Sequence, residues 1–203
     1  MQSKIGLSGQ LTMKHIKADI KPDMSWHLRN RARAGYIWGW LTNGTARQFS
    51  KMTGIPTLTS ELSIVHKRAD GKRVNYGVVS YRVITTAFAE YIVDQLQTET
   101  STWGDFKYHD SGVGVTAAAV GDTDIETTDA ESRATGTQTE NGATVYESVG
   151  TISYTTTKAI TEHGLFNAAT SVTLMDRHVF AAINVVNGDS IQFTYDLTVA
   201  TGG

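Results

Sequence analysis

The chain has 203 residues, enough for one sizeable domain or two small ones, and its 40% hydrophobic and 19% charged residues are typical of a folded protein. The absence of cysteine excludes disulfides, thiolate metal sites and a cysteine nucleophile. No apolar run approaches the roughly 18 residues of a membrane helix, and the first residues lack the apolar core of a signal peptide. We therefore expect a soluble protein that is made in a cytoplasm.

The charge is divided unevenly along the chain. Residues 1–73 carry 13 Lys and Arg against 4 Asp and Glu, a balance of +9, whereas residues 74–203 carry 5 against 16, a balance of −11; together they make the net charge of −2. This asymmetry indicates that the front of the chain faces a negative surface, which could be nucleic acid, a partner protein or the acidic domain of a neighbouring copy. Two oppositely charged faces of a single domain are the plain structural alternative.

The basic front predicts an extended N-terminal arm, residues 1–50, ahead of a β-rich domain over residues 51–203. Residues 1–23 show no sustained hydrophobic period, and such a segment is ordered only where it is tied to something else. We expect it to lie on a neighbouring subunit. Residues 24–49 fit either a helix or a strand, because a capping Asp and a terminating Gly compete with alternating arginines.

The candidate partner interface lies in this arm, where basic and aromatic residues are interleaved. Its members are Arg29, Arg31, Arg33, Tyr36, Trp38 and Trp40. Aromatic residues and arginine are enriched at protein interfaces, and the same interleaving can bind single-stranded nucleic acid. Ordinary core aromatics beside solvated arginines are the competing interpretation.

A hairpin and one short helix are predicted next. Two β-rich runs, residues 62–67 and 74–84, flank an Asp-Gly pair at residues 70–71, which is a strong hairpin signal. Thr85 or Thr86 then caps a helix over about residues 86–97, where the apolar side chains follow helical spacing.

The middle of the chain predicts short strands separated by a long loop. Residues 103–109 and 145–155 have β patterns, and the stretch between them, residues 111–143, is rich in Gly, Thr and acidic side chains. A loop of this length inside a compact domain is usually functional or a sign that strands were missed.

The C-terminal third predicts three strands. Residues 191–199 alternate apolar and polar side chains, an Asn-Gly-Asp turn precedes them at 187–189, and residues 172–186 and 159–166 form two further strands. Three consecutive strands joined by short turns predict an antiparallel meander whose apolar face needs a covering layer. The predicted fold class is therefore mainly β, an antiparallel β-sandwich or meander with one short helix and an extended N-terminal arm.

No catalytic constellation emerges from the motifs. His109, Asp110 and Ser111 are adjacent in sequence, whereas a triad requires groups that converge in space. The GxGxxA run at residues 112–117 lacks the surrounding βαβ unit of a dinucleotide site, so it predicts a plain turn. His163 is expected to be a half-buried packing residue and not a metal ligand.

Four acidic residues in the long loop deserve a separate test as a calcium site. These are Asp122, Asp124, Glu126 and Asp129. An EF-hand loop starting at Asp122 requires Gly at position 127 and Glu at position 133, where this chain has Thr127 and Arg133. The cluster over residues 122–131 therefore predicts a solvated acidic loop, with an irregular cation site as the alternative.

The stretch from about Val78 to Thr198 resembles structural proteins of tailed bacteriophages. The resemblance is carried by VVSYRVITTAFAEYIVDQL, DFKYHDSGVG, AITEHGLFNA, LMDRHVFAAINVV and NGDSIQFTYDLTV, and it covers a little over half of the chain. It implies a virion β-domain and offers no catalytic residues. A looser version of the same motif occurs near the start of some phage tail fibres.

These observations together predict a virion structural protein of a tailed bacteriophage, assembled in the cytoplasm of the bacterial host. We expect a capsid decoration or cement protein, a homo-oligomer that binds and stabilises the lattice of the major capsid protein. A tail, baseplate or fibre-attachment component is the alternative. We expect no enzyme activity, cofactor, metal ion or membrane contact, and nucleic acid is not an expected partner.

Overall fold

Two antiparallel β-sheets packed face to face form the fold. The computed structural model describes residues 41, 43–55, 57–81, 84–97, 106–170 and 173–200. The helices and strands are α1 (41 and 43–53), β1 (Thr57–Lys67), β2 (Arg73–Ser80), α2 (Thr86–Gln97), β3 (Tyr108–Gly112), β4 (Ala134–Thr135), β5 (Thr137–Glu140), β6 (Val145–Ser153), β7 (Lys158–Phe166), β8 (Leu174–Val185) and β9 (Ser190–Ala200). The larger sheet has the strand order β2-β1-β9-β6-β5, and the smaller sheet has the order β4-β3-β7-β8. The predicted fold class is confirmed.

The core lies between the two sheets and follows from alternation along the strands. In β9, Ile191, Phe193 and Tyr195 are fully buried, and the polar residues between them face away from the core. Leu62 of β1 and Ile160 of β7 contribute to the same apolar cluster from the two sheets. Burying each such side chain contributes about 1.5–3 kcal/mol, so this layer is the main source of the stability of the sandwich.

The helix predicted over residues 86–97 is confirmed as α2, and its start is capped as expected. The Thr85 hydroxyl oxygen accepts a hydrogen bond from the Phe88 backbone N at 3.2 Å, and the hydroxyl donates to the Leu174 carbonyl oxygen of β8. Phe88 then packs edge-on against Phe106, with ring centroids 5.0 Å apart. The cap therefore also fixes the helix to the smaller sheet. Neither helix in the described residues has the length and apolar character needed to cross a membrane.

The hairpin is confirmed, with β1 longer than predicted and β2 shorter. β1 begins at Thr57, and β2 ends at Ser80. Gly71, in the turn between them, has φ +83°, a conformation that glycine adopts without steric cost. In the middle of the chain, the predicted strand at 103–109 is described as β3 over Tyr108–Gly112, and the long loop contains two strands that the sequence pattern missed, β4 and β5.

The predicted three-strand meander is wrong in its last strand. β7 and β8 pair with each other, but β9 lies in the larger sheet between β1 and β6. The Asn-Gly-Asp turn crosses from one sheet to the other because Asp189 is anchored there. Its carboxylate accepts from the Ala69 backbone N at 2.7 Å and contacts His66 Nε2 at 2.8 Å. A tight turn fits a hairpin and a crossover equally well, so local sequence does not distinguish the two.

Candidate interaction surface and buried polar clusters

The predicted interface residues, Arg29, Arg31, Arg33, Tyr36, Trp38 and Trp40, lie outside the described residues. The structure begins immediately after them, at Leu41 and helix α1. The predicted boundary between arm and domain, at residues 50 and 51, lies within this helix. The candidate surface is therefore built from α1 and from the part of the larger sheet on which it lies.

Helix α1 turns its polar side towards the body of the protein. Asn43 Nδ2 donates to the Ser60 carbonyl oxygen at 3.0 Å, and Ser50 Oγ donates to the Ala200 carbonyl oxygen at 3.0 Å. Arg47, between them, donates through Nε to Thr59 Oγ1 at 3.3 Å. Positions 43, 47 and 50 share one helical face, so hydrogen bonds to β1 and β9 hold the helix in place.

The opposite side of α1 is exposed and carries large apolar side chains beside Thr45 and Gln48. Leu41, Phe49 and Met52 have 44%, 50% and 84% of their surface accessible, and Ile55 follows the helix with 53%. We call these four residues the apolar patch. A surface helix normally turns its apolar stripe to the core, and exposed apolar patches mark interaction sites. The inverted arrangement in α1 therefore makes this side of the helix the candidate interaction surface.

Three carboxylates lie side by side on the outer face of the larger sheet, next to α1. Glu61 of β1 pairs with Asp196 of β9, and Asp196 pairs with Glu147 of β6. We call these three residues the acidic row. Like charges on directly opposite residues of neighbouring strands destabilise a sheet. Burial, and then the charges of Glu147 and Glu61, raise the pKa of Asp196 to about 6.

The acidic row has few counter-charges. Arg47 of α1 lies 4.0 Å from Glu61, and Glu147 accepts hydrogen bonds from Thr139 at 2.9 Å and Asn141 at 3.1 Å. Asp196 Oδ1 is buried without a hydrogen-bond partner. Within the described part of the chain, no Lys or Arg forms an ion pair with Asp196 or Glu147, so the centre of the row is electrostatically unbalanced.

A very different carboxylate lies on the smaller sheet. Glu162 of β7 is fully buried and accepts hydrogen bonds from the backbone N atoms of Gly114 at 2.9 Å, Glu126 at 2.9 Å and Thr127 at 2.8 Å. Its fourth donor is Arg177 Nε of β8, at 2.9 Å. We call Glu162 and Arg177 the buried hub. It ties the loop after β3 to the outer side of the smaller sheet.

The prediction of a solvated acidic loop holds for Asp124 and Glu126, which are exposed, and fails for Asp122 and Asp129, which are half-buried and buried. Arg177 NH1 lies 2.9 Å from Asp122, and Arg133 NH2 lies 3.4 Å from Asp124. Asp129 accepts a short hydrogen bond from the buried Ser111 hydroxyl. Among the described residues, no group of three or more His, Asp or Glu side chains is placed to hold a metal ion.

The glycines of the GxGxxA run have a packing role. A Cβ atom on Gly112 or Gly114 would overlap the Glu162 carboxylate, and Gly112 ends β3. Close approach of a side chain, and not a phosphate-binding turn, therefore accounts for glycine at both positions.

Three histidines form a row on the inner side of the smaller sheet. His109, His163 and His178 come from β3, β7 and β8, and all are fully buried. His109 Nδ1 lies 2.9 Å from His163 Nε2, and His109 Nε2 lies 2.9 Å from Ser148 Oγ of the facing sheet. Burial lowers the pKa of His109 to about 3. The expectation of a half-buried His163 is wrong, since it stacks on Phe193 in the core.

The surroundings of His109 and His163 favour neutral imidazoles. Burial lowers the pKa of His163 far below its usual value, and the nearby His109 and His178 lower it further. Asp176, also fully buried, accepts a hydrogen bond from Tyr195 at 3.2 Å, and burial raises its pKa. These groups sit in the sandwich interior, away from solvent.

The adjacent His109, Asp110 and Ser111 do not converge. His109 and Ser111 face the sandwich interior, whereas Asp110 lies on the other side of β3 and accepts from Arg133 Nε at 2.8 Å. The Ser111 hydroxyl contacts Tyr154 at 3.0 Å, with both residues buried.

Comparison of the chain with models of protein families, with curated proteins and with solved structures finds no match. Function therefore has to be argued from geometry. The segments that carry the phage resemblance occupy defined places: Thr-Glu-His of β7 and Asp-Arg-His of β8 supply the buried hub and the histidine row. The motif residues thus hold the sandwich together.

Sequence reasoning missed both components of the exposed surface. The acidic row joins Glu61, Glu147 and Asp196, which are far apart in the chain and meet only through strand pairing. The apolar patch had a local signal, because Asn43, Arg47 and Ser50 recur at helical spacing between apolar residues.

Proposed function

We propose that this chain is a structural protein of a tailed-bacteriophage virion, acting as a capsid decoration protein that binds and stabilises the major capsid protein lattice. The observation that carries the proposal is the apolar patch on α1, which lies directly after the basic, aromatic segment. A helix that is hydrogen-bonded to its own sheet through its polar side presents an apolar side for contact with a neighbour. The resemblance of residues 78–198 to phage virion proteins is the reason for proposing that this contact is made within a phage particle.

The energetics of such a surface suit repetition on a lattice. Apolar area removed from water contributes about 25 cal/mol per Å², so a patch of a few side chains binds weakly by itself. Many linked copies bind far more tightly than one, because each contact after the first is intramolecular. A homo-oligomer in the virion would therefore make effective use of a modest patch.

The enclosed polar groups support a structural role in place of catalysis. The side chains with catalytic potential in the described residues, such as His109, Ser111 and Asp176, are at most marginally accessible to solvent. Each contacts other protein groups between the two sheets. They stabilise one arrangement of the sandwich, and a substrate would have no route to them without separating the sheets.

A binding assay on purified shells tests the proposal. The paired variant Phe49→Ser with Met52→Ser should co-sediment with empty shells at least about tenfold less than the wild type, since copies that no longer associate lose the repeated contacts with the lattice. Leu96→Ser removes a side chain that is equally exposed, 77% accessible on α2, and should leave shell binding unchanged. Equal binding of all three proteins would contradict the proposal.

Copy number separates the capsid from the tail. The alternative, a tail, baseplate or fibre-attachment component, draws on the looser version of the motif in tail fibres. Quantified gel bands from purified particles should show this chain in fixed proportion to the major capsid protein. A band at the level of the tail proteins would favour the alternative.

A further inference from the structure

The apolar patch and the acidic row lie on the same outer side of the larger sheet, the patch on the far side of helix α1 and the row beside the helix. Helix α1 joins them, since Arg47 lies 4.0 Å from Glu61 at the edge of the row, and Asn43 is bonded to Ser60, the neighbour of Glu61 in β1. The apolar patch is exposed to solvent, and Asp196 and Glu147 of the acidic row have no cationic partner among the described residues. An occupant that satisfies both the patch and the row has to be basic and rich in aromatic or aliphatic side chains.

We propose that this face, the apolar patch together with the acidic row, binds residues 1–40 of a neighbouring copy of the chain, which deepens the assembly role proposed above and rests on it. That segment carries 7 Lys and Arg against 2 Asp, a balance of +5, and it holds three of the four Trp of the chain. Arginine side chains match carboxylates through paired hydrogen bonds, and Trp is a preferred anchor of protein interfaces. The charge and the apolar character of the segment are therefore complementary to the face.

Chain reach favours a neighbouring copy over the same chain. Met52 is eleven residues after Leu41 along α1, about 16 Å at 1.5 Å per residue. Trp38 and Trp40 precede Leu41 by three residues and one residue, so they can move at most about 10 Å and 4 Å from it. This tether keeps the two rings near the Leu41 end of their own helix, whereas the same residues of a neighbour can lie over Phe49 and Met52. Trp26 and the arginines of the segment have no such limit, and the mixing experiment below decides for them.

Tryptophan emission and molar mass can test the docking in the full chain. In a Trp103→Phe background, every remaining Trp lies in residues 1–40. One variant reverses the row, with Glu61→Lys and Glu147→Lys. Each copy of it should have red-shifted emission and the mass of a monomer in light scattering, because like charges then face each other. Thr151→Lys, on the same face beyond the row, adds a charge and should change neither.

A mixing experiment identifies the occupant. The second variant reverses the segment, with Arg29→Glu, Arg31→Glu and Arg33→Glu, and should also be a monomer. Mixing the two variants should restore the oligomer mass and the blue-shifted emission, because the basic segment of one meets the acidic row of the other. If each segment docks on its own chain, the wild type is itself a monomer and only the emission changes in the variants, and this result would overturn the proposal. Unchanged mass and emission in the row-reversed variant would overturn it as well.

The shell assay keeps this inference distinct from the proposed function. If mixing restores nothing while shell binding still depends on Phe49 and Met52, the occupant is a shell protein, and the docking of residues 1–40 is wrong. If mixing restores the oligomer while no particle retains the chain, the docking is right and the virion role is wrong.

Discussion

The two sheets treat carboxylates in opposite ways. On the smaller sheet, Glu162 is fully buried and has four hydrogen-bond donors, one of them from Arg177. On the larger sheet, Asp196 is partly exposed between two other acids and has an unpartnered oxygen. A buried charge is tolerated only where hydrogen bonds and an opposite charge compensate it, so Glu162 with its four donors has a structural role. The arrangement on the larger sheet is costly for the isolated chain, because among the described residues no cation pairs with Asp196.

Removing the hub carboxylate should have the largest effect on stability. Glu162→Gln leaves Arg177 buried with a weaker partner and leaves the loop after β3 with poorer acceptors. Breaking a buried ion pair costs about 3–5 kcal/mol, which urea unfolding would measure as a lower midpoint at constant slope. Asp124→Asn is the matched control, because that side chain is 59% exposed and exposed pairs contribute about 1 kcal/mol or less. Equal losses of stability for the two substitutions would show that the buried Glu162 contributes no more than the exposed Asp124.

The histidine row should make the interior sensitive to acid. Unfolded histidine binds a proton below its usual pKa of 6.5, whereas the folded His109 does so only at about 3. The unfolded state therefore binds more protons between these values, and stability falls as the pH falls. From pH 6.5 to 5, the wild type should lose about 2 kcal/mol more than His109→Asn. Parallel stability curves for the two proteins would show that His109 is not held neutral.

Neutralising Asp196, at the centre of the acidic row, should raise the stability of the protein, whereas removing the charge of the buried hub lowers it. The pKa of Asp196 is raised to about 6, so its contribution to stability is present below the unfolded value of 3.8 and is lost as the pH rises through 6. Asp196→Asn should therefore stabilise the monomer at pH 7.5 by about 1 kcal/mol, after allowance for solvent screening, and by almost nothing at pH 4. Destabilisation at pH 7.5 would mean that the row already has its counter-charge.

The smallest effect on unfolding is expected at the apolar patch. Met52→Ser changes a side chain that is 84% exposed, so the free energy of unfolding of the monomer should stay within about 0.5 kcal/mol of the wild type. Self-association measured by sedimentation should weaken in the same protein. A large loss of monomer stability would show that Met52 packs within its own chain.

The elements that were predicted correctly rest on local forces. The alternation over residues 191–199, the cap at Thr85 and the Asp-Gly turn each depend on side chains within a few positions of one another. Short-range sterics and hydrogen bonding decide such features before any tertiary contact forms. The same reasoning did not predict that Asp122 and Asp129 of the acidic loop are shielded, because their partners, Arg177 and Ser111, lie elsewhere in the sequence.

What the sequence determined by itself was the class of the fold, one helix with its cap, a hairpin and the separation of basic from acidic residues. Tertiary structure alone decided that β9 crosses to the larger sheet, that Glu162 is enclosed and that Glu61, Asp196 and Glu147 lie in one row. The physical reason is the pairing register. A strand shows from its own residues which face is apolar, but its neighbours depend on strands far away in the chain, as β1 and β9 show with more than a hundred residues between them.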